Sequence, residues 1–278
     1  MINKIILYIL RRKLFKGQFR IFSWLYANQF LKVVSRTTKP IIGNFKINVV
    51  TKNYIDACIY YMGDYEPYLK TQFSKLIKHG DVILDVGANI GFHTMYFAEL
   101  VGKQGKVFGF EPIPVNYHAL QENLKLNKFS QIISVNKALG DINSSLNIHI
   151  NENKTNPGAF NLFESGIKNT VIECVKGDDF LKKNSITKVN FIKIDVEGYE
   201  LEVLKGMMES IKSMKPTIIF EYDEFYQSKL NANSKSILHF LIDLDYSLYK
   251  IDGYGKRYYL NIDEPLTSLE VLAIPNKN

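Results

Sequence analysis

The chain has 278 residues, 46% hydrophobic and 23% charged, which is enough apolar material for a large core and excludes a disordered chain. Its net charge of +7 is unevenly placed: eleven of the 35 Lys and Arg residues precede the first acid, Asp56, leaving 24 against 28 acidic residues in the remainder, so a basic footprint spread over the domain is excluded and with it a nucleic-acid partner. No apolar run reaches the roughly 18 residues of a membrane span, and the two cysteines, Cys58 and Cys174, give neither a disulfide framework nor a C-x-x-C metal signature, which suits a cytoplasmic protein.

Residues 1–55 read as a basic amphipathic extension and residues 56–278 as the main domain. Over 2–34, Ile, Leu, Phe, Tyr and Trp24 interleave with Lys and Arg, which predicts one or two helices interrupted at Gly17. Such a segment suits a helix lying on an anionic membrane surface, here through residues 1–35 at the inner membrane face. It equally suits a helix packed on the domain or on a second subunit, and the oligomeric state stays open. On the membrane reading, residues 1–35 can be removed without loss of cofactor binding. Residues 39–63 predict a short strand pair around Gly43-Asn44.

The domain then alternates. Strand 82–85 leads to helix 90–101, strand 106–110 to a helix from Pro114 to Asn127, and strand 131–138 follows. Between 143 and 175 the rhythm breaks: SLNIHI and TVIECV alternate like hairpin strands around the polar loop 151–169, a candidate for shaping a substrate pocket. Helix 178–184, with Asp178 and Asp179 as candidate caps, precedes strand 190–195, helix 199–212 and strand 216–222. A helix over 233–245 and strands near 247–251, 257–261 and 269–274 complete the chain. This pattern predicts an α/β fold with a doubly wound, mostly parallel sheet and a basic N-terminal helical extension.

The stretch 81–112 carries the chemistry. An apolar run ends in Asp85, a turn holds Gly87, Asn89 and Gly91, and the next strand ends in Glu111-Pro112. That is how an α/β domain cradles an adenosine-containing cofactor at the carboxyl ends of its strands. The dinucleotide fingerprint G-x-G-x-x-G is broken, because Asn89 stands at the middle glycine, and the P-loop pattern is absent. A phosphate-free cofactor carrying an ammonium and a carboxylate fits better, which describes S-adenosylmethionine. Asp85 is placed for the ammonium, N–H groups at the helix start for the carboxylate, and Glu111 for two ribose hydroxyls. Asp141 is a candidate for the adenine amino group, as are the backbones of Ala138 and Leu139. The bland alternative is a turn whose glycines serve packing alone.

VGANIGFHT, FEP, KALGD at 137–141, FIKIDVEGYELEVLKGM at 191–207 and KPTIIFEY at 215–222 together resemble the FkbM-type S-adenosylmethionine-dependent methyltransferases, over roughly residues 56–225. The resemblance implies a class I methyltransferase-like fold and methylation of a hydroxyl on a sugar or polyketide-type metabolite. An O-methyltransferase acting on a glycan or glycolipid precursor is the leading expectation. A small secondary metabolite as acceptor, a catalytically inactive cofactor-binding protein and a nicotinamide dehydrogenase are the alternatives.

On the acceptor side, Asp195 and Glu197 stand at the end of a core strand in IDVEG, and alternation puts Lys193 and Asp195 on one face. Either acid could remove a hydroxyl proton or orient sugar hydroxyls; either could instead cap the helix that follows. With Glu221 and Asp223 they could also form an oxygen-rich Mg²⁺ or Ca²⁺ site, a variant secondary to a metal-free site. His93 either lines the cofactor cleft or is structural. IDVEG stands where methyltransferases acting on planar amino groups carry Asn/Asp-Pro-Pro-aromatic, which favours oxygen as the acceptor.

Overall fold

A computed structural model of the chain describes residues 2–12, 17–150, 168–230 and 233–276. Two helices open it, α1 (Ile2–Arg11) and α2 (Gln18–Ala27), with Gly17 in the left-handed region at the start of α2. β1 (Ser35–Thr38) and β2 (Ile47–Val50) pair antiparallel on either side of Gly43-Asn44. The strand expectation fails beyond them: α3 (Tyr54–Ala57) runs into a π-helical turn over Cys58–Met62. The run from Ala57 to Tyr61 is buried at every position, whereas a ribbon strand with one wet face buries alternate residues.

α4 (Pro67–Leu76), with proline in its first turn, leads into the alternating core. There β3 (Val82–Val86), α5 (Phe92–Val101), β4 (Lys106–Phe110), α6 (Pro114–Lys125) and β5 (Ile132–Val135) follow one another. The strand expected over 131–138 divides, because β6 (Ala138–Gly140) leaves the main sheet. It joins β7 (Ser144–Ile150) and β8 (Lys168–Lys176), which pair antiparallel as their alternation predicts. Residues 151–167 of the expected pocket-shaping loop lie outside the described residues.

The second half runs α7 (Gly177–Lys183), β9 (Phe191–Ile194), α8 (Glu200–Gly206), α9 (Met208–Met214), β10 (Thr217–Asp223) and α10 (Glu224–Leu230). It ends with α11 (Ser236–Asp243), β11 (Tyr246–Ile251), β12 (Arg257–Tyr259) and β13 (Ser268–Pro275). The single helix expected over 199–212 is therefore two. Gly206, which ends α8, lies against β6 so closely that a Cβ would sit 1.8 Å from the Gly140 carbonyl oxygen.

The main sheet has the order β12-β11-β13-β10-β9-β3-β4-β5. β5, β4, β3, β9 and β10 are parallel; β13 is antiparallel to both β10 and β11, so β11 runs with the parallel set. The chain order reverses at β3, whose neighbours are β4 and β9, and a ligand crevice opens at such a switch point. Each face of the sheet has its own core. Leu84, Ile192, Ile194 and Phe220 pack with Leu181, Leu201, Leu204 and Leu238 on one side. Ile83, Phe191, Ile219 and Leu272 pack with Phe73 and Phe97 on the other.

The second core reaches into the N-terminal segment, since Leu10, Phe22, Leu31, Phe45 and Ile47 belong to it. Arg11 fastens the segment by donating to the carbonyl oxygens of Tyr60 and Lys39, each at 2.7 Å. Lys70 of α4, buried to 1% exposure, pairs with Asp64 at 2.7 Å and lies 4.1 Å over the Phe92 ring. A buried ammonium persists only with such partners.

Candidate active site

Alternation along the strands sends one set of residues to the face that carries α4 and α5. Asp85 of β3 stands beside Lys193 of β9 in the ladder, and Glu221 of β10 stands opposite Glu270 of β13. Two like charges directly opposite on a ladder are destabilising in themselves. Asp195, two residues beyond Lys193, is on the same face and binds the Lys193 Nζ at 2.9 Å. Burial alone would lower Lys193, but Asp195, Asp85 and Glu66 around it raise it above the ordinary lysine value.

A cleft of about 1020 Å³, open to solvent, runs along the carboxyl ends of β3, β4 and β9. Gly87, Asn89, Glu111, Pro112, Ile113, Ala138 and Leu139 line one end, with Leu146, Ile148 and Ile172 of the small sheet closing an apolar slot beside them. Asp195, Val196, Glu197, Glu221 and Tyr65 line the other, while Tyr199 lies against Gly140 beside the small sheet. A second pocket of about 330 Å³, likewise open to solvent, adjoins it at Gly87, Asn89 and Asp195, with Asp85, His93 and Lys193 also on its walls.

The turn 87–91 is braced from inside. Gly87 and Ala88 donate their N–H groups to the Phe110 carbonyl at 3.0 and 2.9 Å, and Asn89 donates to Glu111 Oε2 at 2.8 Å. Glu111 Oε1 accepts the Ile113 N–H at 2.9 Å. Gly91 donates to the Ala88 carbonyl. Most of the turn's N–H groups are therefore spent, which leaves the first-turn N–H groups of α5 for a ligand carboxylate. The glycines are needed for close packing: with φ near 87° at both, a Cβ on Gly87 would meet the Asp195 carbonyl oxygen at 1.9 Å, and one on Gly91 the Leu120 side chain at 2.4 Å. Gly87 also lines the cleft, whereas Gly91 does not.

Asp85 is fully buried. Thr94 donates to its Oδ2 at 2.5 Å, while its Oδ1 has no protein partner. An orphaned buried carboxylate oxygen on a cavity wall suits an ammonium ligand. Glu111 keeps acceptor capacity beyond the two backbone donors and the Asn116 side chain it serves, which suits a ribose hydroxyl. Burial, against those two N–H bonds and the bond from Asn116, pushes its carboxyl up to about 7. The apolar slot beside it fits an adenine ring. These donors and walls fit S-adenosylmethionine. Asp141 is not among the lining residues; it follows β6 in the turn that backs onto Gly206, and Ala138 and Leu139 stand at that edge of the cleft instead.

The end away from Glu111 is acid-rich. Burial first, then Asp195 and Glu221, pushes Glu197 up to about 8. Burial, Asp195 and Glu66 push Glu221 up to about 7. Glu197 sits in the left-handed region with φ 54°, followed by Gly198 at φ 104°. The helix-capping role considered for Asp195 and Glu197 is not seen, since no side-chain cap bond closes the start of α8; Glu200 instead braces the turn before it, accepting the N–H groups of Val196 at 3.3 Å and Gly198 at 3.1 Å and the Gln227 Nε2 of α10 at 2.6 Å. Burial outweighs these bonds and pushes Glu200 up to about 8.

Glu66, with φ 48° just before Pro67, binds His93 Nε2 at 3.0 Å. Burial and Lys193 push His93 down to about 3, so its ring is neutral, and it lines the second pocket. Among the described residues no group of three or more His, Cys, Asp or Glu side chains is disposed to hold a metal ion. Glu66, Glu200, Gln227 and Glu270 escape a reading of the sequence. An acid inside the apolar run SLEVLAIP is the one available signal for Glu270.

The methyltransferase FkbM domain family matches residues 85–248. Among curated proteins, the hexuronic acid methyltransferase AglP of Haloferax volcanii is 32% identical over 139 residues, which cover 50% of this chain and 55% of that one. The methyltransferase sdnD of Sordaria araneosa is 30% identical over 169 residues, covering 50% of this chain and 65% of its own. The match thus spans between about half and two thirds of these relatives' length. Among solved structures, methyltransferase FkbM from Methylobacillus flagellatus KT aligns over 93% of this chain and 71% of its own, at 16% identity and a TM-score of 0.45. With the family covering more than half of its length, the chain belongs to the FkbM methyltransferases, and S-adenosylmethionine is its cofactor.

Proposed function

We propose that this chain is an O-methyltransferase that methylates a sugar hydroxyl of a glycan or glycolipid precursor at the inner membrane face. The observation that carries this reading is the cleft itself, which joins the cofactor end at Glu111 to an acceptor end lined by Asp195, Glu197 and Glu221. The likeness to a hexuronic acid methyltransferase supports a sugar acceptor. Asp195 and the raised acids Glu197 and Glu221 line the acceptor end, and Lys193 is already paired with Asp195, so no free cation there is offered to a uronate carboxylate among the described residues. A neutral hydroxyl therefore suits the lining better.

When bound, S-adenosylmethionine supplies an electrophilic methyl group on a sulfonium sulfur. Glu197 accepts the hydroxyl proton at a carboxylate oxygen, because a base working near neutral pH is best tuned near that pH. Asp195, fixed by Lys193, orients the acceptor. Glu200 holds the 196–198 turn so that both acids keep their places. Positioning of this kind supplies much of the acceleration in a displacement.

The test is incubation with methyl-labelled S-adenosylmethionine and a panel of neutral methyl glycosides, uronates and cell glycolipid fractions. Label in an alkali-stable methyl ether is the expected product. Label that alkali releases marks an ester and overturns the hydroxyl assignment.

A further inference from the structure

α1 and α2 present two apolar faces, of which the core uses one. Leu10, Gln18 and Phe22 point inward and are buried. Outward, Ile5 and Tyr8 lie one turn apart on α1, and the Arg12 guanidinium sits 4.2 Å over the Tyr8 ring. On α2, Arg20 and Trp24 lie one turn apart opposite Phe22, flanked by Phe19. Trp24 packs against Phe30, tilted by 34° with ring centroids 5.3 Å apart, which carries the apolar surface past the end of α2. Trp24 is 58% exposed, Phe30 59% and Phe19 56%, unusually open for side chains of this size. The exposed basic residues Arg12, Arg20 and Lys32 belong to the same stretch, and no acid occurs before Asp56.

We propose that this outward face of α1, α2 and the turn after them docks on an anionic lipid bilayer. The charge selects that occupant. A second copy of the chain would bring the same basic face to the contact and repel it, whereas anionic headgroups attract each Lys and Arg. Aromatic rings flanked by cations are what an interfacial helix buries among headgroups. No helix among the described residues is long and apolar enough to cross a membrane, so the attachment lies in the surface plane. The inference is independent of the methyl acceptor, and its assay needs no turnover.

Trp24 is the single tryptophan of the chain, so its fluorescence reports this face alone. The full-length protein is mixed with vesicles of phosphatidylcholine and with vesicles of phosphatidylcholine plus phosphatidylglycerol. A blue shift and co-sedimentation with the mixed vesicles only, weakened but not abolished by salt, are expected. The double variant Arg20→Glu, Lys32→Glu should weaken binding by about tenfold or more, and Phe19→Ser, Phe30→Ser should remove the salt-resistant part. Both variants should keep the wild-type melting temperature and cofactor affinity, since the four side chains lie outside the core. An unshifted spectrum with no co-sedimentation overturns the proposal. So does a blue shift that follows protein concentration without vesicles, which would assign the face to a second copy.

Discussion

Replacing Glu111 by alanine separates two roles that one buried carboxylate combines. The side chain is 4% exposed and its two oxygens serve the N–H groups of Asn89 and Ile113. Alanine strips both donors of their acceptor, at a cost of about 1–3 kcal/mol for each that stays buried. At about 2–4 °C per kcal/mol for a chain of this size, the melting temperature should fall by several degrees. The cofactor loses charge-assisted bonds to its ribose, worth about 1.5–3 kcal/mol, which is about a 10- to 150-fold rise in Kd. Calorimetry with S-adenosylmethionine and with S-adenosylhomocysteine should show the same loss for both, because the ribose is common to them. The titration belongs above the value of about 7 to which burial pushes this carboxyl, where the wild-type group is ionised. A lower melting temperature with a Kd within about twofold of wild type would reduce Glu111 to a brace for the turn and refute its role at the ribose.

Asp195→Asn should lower turnover by about 10²-fold or more with cofactor affinity retained, and Glu197→Gln should abolish the rise of rate with pH through about 8 that a carboxylate base of that value produces. Unchanged rates would leave both acids with a structural role. Cofactor-free protein should lose thermal stability as pH rises from about 4.5 to about 8. The folded chain keeps protons on Glu66, Glu111, Glu197 and Glu200 that the unfolded chain has released, so the unfolded state binds fewer protons and the slope is negative. A flat melting profile across that window contradicts it. Gly206→Ala should destabilise by about 1–3 kcal/mol or more, since its Cβ would lie 1.8 Å from a backbone oxygen; a denaturant midpoint equal to wild type would contradict the contact.

The core strands were legible because burial on both faces leaves short apolar runs that end at turn residues, as Val82–Val86 and Phe191–Ile194 do. Asp85, Gly87 and Glu111 were legible for the same reason: each stands at the end of such a run. What escaped depends on contacts distant in sequence. The division of 131–138 follows from β6 pairing with β8, which lies beyond the small sheet's own connection. Glu66 reaches His93 across 27 positions, and Gln227 reaches Glu200 across 27. No local period marks either pair. Glu200 was hidden by its neighbours, since IDVEGYE offers three acids and only the tertiary turn decides which of them receives the N–H groups of Val196 and Gly198.

The N-terminal segment shows why composition alone does not tell how firmly a segment is held. Its basic and aromatic content suggests a detachable anchor, and cofactor binding was expected to survive removal of residues 1–35. The packing argues otherwise. Leu10, Phe22 and Leu31 are core residues that contact the same layer as Phe73 and Phe97, and each contributes about 1.5–3 kcal/mol of burial. Their loss, together with the two carbonyl bonds made by Arg11, is comparable with a typical total stability of about 5–15 kcal/mol. The truncated chain should therefore melt far below the full-length protein or fail to fold, and cofactor binding should go with it. A truncated protein that is soluble, melts cooperatively near the wild-type temperature and binds S-adenosylmethionine with wild-type affinity would show that this second core closes without α1 and α2.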